Sequence, residues 1–248
     1  MTTKDATMAE IVTYESSGEI ARIGIDDGKH NVMTDHVLAS LHQALDQAEQ
    51  QARAVVLSGR EGIFSAGFDL QVFARGDPEE IYATMRLGAE LAFRVFSFPL
   101  PVVVACTGHA YPMGAFLLMA SDYSLGVDSA FRIGLNEVAI GIAVPVFAVE
   151  LARATLAPNY ADRILTGDLL DPREALAAGY LDRLVREGVI HTAAETKARE
   201  FAALAPAAYR LTKSRVRAAA ADRIRQAIDV EITVDNYRRL LALRDETR

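Results

Sequence analysis

The chain has 248 residues, about half of them apolar, a formal net charge of -7 and a pI near 5.3. That length can bury a sizeable core, and the acidic balance opposes nucleic-acid and anionic-lipid partners, although a small basic cluster stands at Arg210, Lys213, Arg215 and Arg217. The N-terminus lacks a signal-peptide core and no segment offers the ~18 apolar residues of a membrane span, so a cytoplasmic protein with no membrane partner is expected.

In chain order, the first eight residues read as a loose tail ahead of the periodic pattern. Ile11-Val-Thr-Tyr14 and Ile20-Ala-Arg-Ile-Gly-Ile25, parted by Ser16-Ser17-Gly18, read as a hairpin. After a turn at Asp26-Asp27-Gly28, Thr34 and Asp35 open a helix whose buried face carries Leu38, Leu41, Leu45 and Ala48 and which ends near Ala52. Ala54-Val-Val-Leu57 has the profile of a strand buried on both faces. Asp77-Pro78-Glu79-Glu80 starts a second helix, with Ile81, Gly88, Leu91 and Val95 inward. Pro101-Val-Val-Val-Ala-Cys106 is another buried strand, where the only cysteine reads as a packed thiol. A short helix over residues 113–120 is apolar nearly all round and must lie inside. Asp122-Tyr-Ser-Leu-Gly-Val127 and Ala130-Phe131 suggest short strands, and the rest is largely helical, with a break at Ala205-Pro206-Ala207. In the last helix Ala227, Val230, Val234, Tyr237 and Leu241 form one apolar seam that needs a partner. This order fits an α/β core followed by helices better than a doubly wound sheet.

Two stretches sit where a buried strand delivers the chain toward a helix: Gly62-Ile-Phe-Ser-Ala-Gly67-Phe68-Asp69-Leu70 and Gly108-His-Ala-Tyr-Pro-Met113-Gly114-Ala115. Free peptide N–H groups at such a place stabilise a developing oxyanion. Taken with Phe131-Arg-Ile-Gly-Leu-Asn136-Glu137-Val-Ala-Ile-Gly141, and in this order, they resemble the enoyl-CoA hydratase/isomerase (crotonase) family. The likeness runs over about residues 18–185 and includes Thr166-Gly-Asp-Leu-Leu-Asp171 and Glu174-Ala-Leu-Ala-Ala-Gly-Tyr180.

The resemblance implies a spiral of stacked ββα turns over residues 1–200, followed by a helical region over 201–248 that serves assembly or covers the site. It implies an enzyme assembled as a homotrimer or homohexamer, acting on an acyl-CoA thioester. Coenzyme A arrives as part of the substrate, and no cofactor is bound permanently. Carried over by position, the N–H groups of Phe68 and Met113 become the oxyanion-hole donors, with Pro112 standing in a run where relatives usually have glycines. Ser65, Ala66 and Gly67 fall beside the nucleotide end of coenzyme A, and Lys29 and Arg22 are candidates for its phosphates.

Family hydratases use two glutamates. Here the first position is Phe116 and the second is Glu137. A lone acid among Phe116, Val138, Ile140 and Met113 would be desolvated and would suit a 1,3-proton shift, so 3-enoyl-CoA to 2-enoyl-CoA isomerisation leads. Hydration of a 2-enoyl-CoA, with Asn136 or His109 replacing the missing acid, and an acyl-CoA-binding homologue without catalysis remain the alternatives. Asp69 reads as structural, bonding loop amides. His30, His36, His42 and His191 show no ligand spacing, and no metal motif appears.

Overall fold

The computed structural model describes residues 10–246. The expected N-terminal tail lies outside them, as do the last two residues of the helical region. The chain opens with the hairpin β1 (Val12–Ser17) and β2 (Ile20–Ile25), whose antiparallel register sets Tyr14 opposite Ile23. There follow β3 (Val32–Met33), α1 (Asp35–Gln51), β4 (Ala54–Ser58), β5 (Gly62–Ser65), β6 (Gly67–Phe68), α2 (Leu70–Arg75) and α3 (Pro78–Ser97). Next come β7 (Val102–Cys106), β8 (Gly108–Ala110), α4 (Pro112–Ala120), β9 (Tyr123–Val127), a 3-10 turn (Val138–Ile140), α5 (Val146–Thr155) and α6 (Pro158–Ala161). A second 3-10 turn (Asp162–Leu165), α7 (Pro172–Ala178), β10 (Arg183–Val185), α8 (Ile190–Ala202), α9 (Pro206–Glu231) and α10 (Val234–Glu246) complete the described chain.

One sheet takes the strands in the order β1-β2-β4-β7-β9-β10, parallel from β2 onward. The short strands pair among themselves, β3 with β6 and β5 with β8. Each turn of the chain thus lays a strand in the large sheet, a short strand in a second layer and a helix in a third: β2-β3-α1, β4-β5-β6-α3, β7-β8-α4. The helices stack in the same order, α1 on α3 and α3 on α4. This is the spiral of ββα turns.

Side-chain alternation explains why both faces of the large sheet are covered. Ile23, Val55, Leu57, Val102 and Val104 join the core under α1, α3 and α4, while Ile20, Ala54, Val56, Val103 and Ala105 form a second core against α8. The helix starts follow their caps: the Thr34 hydroxyl accepts from the Val37 N–H, and the Asp77 carboxylate accepts from Glu79 and Glu80. Leu38, Leu41, Leu45 and Ala48 are buried as expected, as are Ile81, Gly88, Leu91 and Val95. Cys106 is fully packed, and burial pushes its thiol up to about 12.

Three expectations need correction. Ala130-Phe131 is not a strand; the pairing falls on Ile133, which bridges Ala110 and Leu170. The two stretches between strand and helix, for which no strand was expected, contain the short strands β5, β6 and β8. The final helix is two helices that break at Ile232 and Thr233, so the seam is not continuous: Ala227, Tyr237 and Leu241 pack against the core as expected, Val230 is exposed, and Ile224, Ile228 and Ile232 pack with them.

Candidate active site

The first stretch is riveted from beneath by a residue that sequence reasoning passed over. Asn31, wholly buried and at φ 51°, donates from Nδ2 to the carbonyls of Ile25 (2.9 Å) and Phe64 (3.2 Å), while its Oδ1 accepts from the Asp27 N–H. Its place just after the Asp26-Asp27-Gly28 turn, where asparagine tolerates left-handed backbone, was the available signal. The Ser65 hydroxyl donates to the Asn31 carbonyl (2.9 Å) and accepts from the Gly67 N–H (3.1 Å), and the Ala66 N–H donates to the His30 carbonyl (2.9 Å). Ser65 is therefore a structural clasp. Lys29, the residue before His30, is exposed. Asp69 caps α2 by accepting from the Gln71 N–H, the structural part expected of it.

The second stretch starts with the Tyr111 N–H donating to the Ser65 carbonyl (2.9 Å), which locks the two stretches together. Tyr111 gives α4 no side-chain cap, and Pro112 has no N–H, so the first amide hydrogen of this helix belongs to Met113. The backbone at Gly67 (φ +93°) comes close to it: a Cβ placed on Gly67 would lie 3.4 Å from Pro112 Cδ and 3.8 Å from the Met113 nitrogen. The Gly67-Phe68 peptide and the Met113 amide are thus neighbours. The side chains of the same two residues meet over Gly88 of α3, where an added Cβ would come within 2.4 Å of the Phe68 ring and 3.3 Å of Met113 Sδ.

The third element runs alongside β8, with the Gly134 N–H donating to the Ala110 carbonyl (3.0 Å), and delivers Glu137 at the start of a 3-10 turn. The Glu137 side chain is 6% exposed, and neither carboxylate oxygen has a hydrogen-bond partner among the described residues. Burial pushes its pKa up to about 7. An unpartnered buried acid costs stability, which makes it a functional-site signal rather than a structural one. The expected wall of Val138 and Ile140 is corrected: they are 42% and 49% exposed, turned away at the outside of the turn. Tyr180, buried beside α7, does couple to Glu137, and burial first and that carboxylate second hold its phenol neutral, well above the ordinary range.

Phe116, fully buried, is the centre of an aromatic row, 5.3 Å from the Phe147 ring centroid and 6.3 Å from Phe68, which in turn lies 6.4 Å from Phe73. No acid occupies this position. His109 packs between Tyr111 and Phe131, and its Nδ1 accepts from the Arg132 N–H (3.0 Å), so that nitrogen is already engaged. Asn136 is half-buried.

Arg22 does not join this site. It lines a cleft of about 550 Å³ on the α8 face of the sheet, with Thr13, Ser58 and His191, where it donates to Ser17 and Glu195. The basic cluster on α9 is also divided: Arg210 and Arg215 face outward, while Lys213 and Arg217 turn inward toward Asp122. Among the described residues no group of three or more His, Cys, Asp or Glu could hold a metal ion, and no helix is long and apolar enough to cross a membrane.

Stacked ββα turns with two glycine-bearing stretches meeting before a buried helix define a crotonase-fold protein, and comparison with known proteins agrees. The enoyl-CoA hydratase/isomerase family model matches residues 15–239, so the chain belongs to that family and is an enzyme of the crotonase kind. It is similar to the mitochondrial enoyl-CoA delta isomerase 1 of Homo sapiens, with 30% identity over 227 residues, 90% of this chain and 75% of that one. A structure described as the apo enoyl-CoA isomerase of Mycobacterium tuberculosis superposes with a TM-score of 0.85 at 38% identity, covering 90% of this chain and 97% of the other. A structure described as the enoyl-CoA hydratase EchA3 of Mycobacterium ulcerans superposes with a TM-score of 0.87 at 38% identity, covering 92% and 99%.

Proposed function

We propose that the protein isomerises a 3-enoyl-CoA to a 2-enoyl-CoA with Glu137 as its single acid/base. The Glu137 carboxylate takes a proton from C2. The C–H electron pair moves into the C1–C2 bond, and the thioester oxygen becomes the oxyanion of a dienolate. The N–H groups of Phe68 and Met113 donate to that oxygen. Glu137 then returns its proton to C4, the double bond comes to rest between C2 and C3, and the carbonyl re-forms. One acid serves both transfers, so no second carboxylate and no water is consumed.

The observation that carries this reading is Glu137 itself, a buried carboxyl with both oxygens unpartnered and a pKa near 7, in a chain that has the aromatic Phe116 where a hydratase would have its other acid. The description of the human relative as an isomerase supports it, whereas the M. tuberculosis relative is described as an isomerase in one structure and as a probable enoyl-CoA hydratase in another. Ala66 and Gly67, held from beneath by buried Ser65, are the proposed run along coenzyme A, with exposed Lys29 as the candidate for its phosphates and no permanent cofactor. Hydration of a 2-enoyl-CoA is the second reading, favoured by the hydratase description of the M. ulcerans relative. Against it, the His109 Nδ1 is engaged and Phe116 cannot orient water.

Residues 201–248 are read as a region that serves assembly or covers the site, in a homotrimer or homohexamer working in the cytoplasm. In support, α10 packs on α3, and Val138 and Ile140 of the turn after Glu137 are exposed apolar residues. The chemistry is tested by Glu137→Gln. Isomerase turnover is expected to fall by about 10²- to 10⁴-fold while the Kd of a saturated acyl-CoA stays within a few fold. Turnover retained in a folded variant would remove Glu137 from the mechanism.

A further inference from the structure

Phe96 and Ala120, in the last turns of α3 and α4, are buried, and their carbonyls must find donors outside their own helices. Both find the same one. Arg217 of α9 donates from Nη1 to the carbonyls of Phe96 (2.6 Å) and Ala120 (3.0 Å), and from Nη2 to the carbonyl of Ser121 (2.8 Å). Its guanidinium lies 4.5 Å from the centroid of the Phe96 ring and 3.2 Å from Asp122 Oδ1. Asp122 is held in turn: its Oδ2 accepts from Lys213 Nζ (2.7 Å) and from the Val102 N–H (2.8 Å), which opens β7. Two of the cations on α9 therefore point into the fold, although the first half of that helix buries no apolar side chain.

We propose that Arg217 is a positioning residue for the oxyanion hole: one guanidinium sets the register between α3 and α4 and thereby the spacing of the Phe68 and Met113 amides. This rests on the oxyanion-hole reading above. The mechanical link is short. With nine residues, α4 is about 13 Å long, and all of it beyond Pro112 is buried, so movement at Ala120 is movement at Met113. On α3, Gly88 is the surface against which both the Phe68 ring and the Met113 sulfur rest. A planar fork is needed because three carbonyls at the ends of two helices, Phe96, Ala120 and the cap residue Ser121, share one cation; a lysine ammonium on a single stem has no such spread.

The test is Arg217→Lys, with Arg217→Gln read the same way should the first not fold, each assayed for 3-enoyl-CoA isomerisation. The expected result is a fall in kcat of about tenfold to a hundredfold, the cost of misplacing donors by a fraction of an ångström to an ångström. KM and the Kd of a saturated acyl-CoA should stay within about twofold, and the pH midpoint of the rate, which belongs to Glu137, should not move. Unchanged kcat in a folded variant, or a rise in KM matching the fall in kcat, would overturn the assignment. Glu137→Gln separates the two levels. If it retains turnover, the parent mechanism fails; if it loses turnover while Arg217→Lys keeps kcat, only the role of Arg217 fails.

Discussion

Glu137 is a buried acid without a hydrogen-bond partner among the described residues, and the sign of its effect on stability follows from burial. Its folded pKa, raised to about 7, lies above the ordinary carboxyl value of 4.5 that the unfolded chain would show. The native state therefore keeps a proton that the unfolded state releases. The contribution is fully present below the ordinary value and is lost as pH rises through 7. Glu137→Gln removes that penalty, so the variant should gain stability over the parent at pH 8 but not at pH 4, by roughly 3 kcal/mol at most. Urea unfolding of both proteins at the two pH values measures it; an equal difference at pH 4 and pH 8 would contradict a desolvated acid. The sequence singled this glutamate out through its surrounding motif, but the flanking apolar residues were the wrong guide to its burial. Val138 and Ile140 turn outward, whereas Tyr180, distant in sequence, is buried and couples to the carboxylate.

Among the elements, α3 and α4 were legible because their signals are local: the Asp77 cap with Pro78, and an uninterrupted apolar run behind Pro112. Strands β5, β6 and β8 were not, since two to four residues carry no periodicity and their pairing is entirely non-local. The break between α9 and α10 was equally hidden. No glycine or proline marks it; Glu231 turns there to accept the Val146 N–H (2.6 Å) at the start of α5, a tertiary contact. Gly88 offers the test at this scale. Alanine in a helix interior ordinarily stabilises by up to ~1 kcal/mol over glycine. Here its Cβ would meet the Phe68 ring at 2.4 Å. Gly88→Ala should instead cost about 1–3 kcal/mol by denaturant titration and lower kcat as the ring is displaced. A stabilised, fully active variant would show that α3 does not support the donor at Phe68.

At the scale of the molecule, the order of βα units and the helical end were readable, since alternation and capping report each element separately. Which face each helix covers was not. Helix α8 lies opposite α1, α3 and α4, builds a second core of its own, and draws Arg22 away from the site into a paired cluster with Glu195. The same architecture brings three stretches separated by dozens of residues to one place: β5 locks to β8, β8 to Ile133, and the chain beyond Ile133 carries the buried acid. That convergence is the central claim, and it can be tested without knowing the physiological acyl chain. A saturated acyl-CoA incubated with the protein in deuterium oxide should exchange hydrogen at C2, followed by mass spectrometry, and exchange should drop to background in Glu137→Gln with binding retained. Measurable binding to the parent protein with no exchange at C2 would contradict the account.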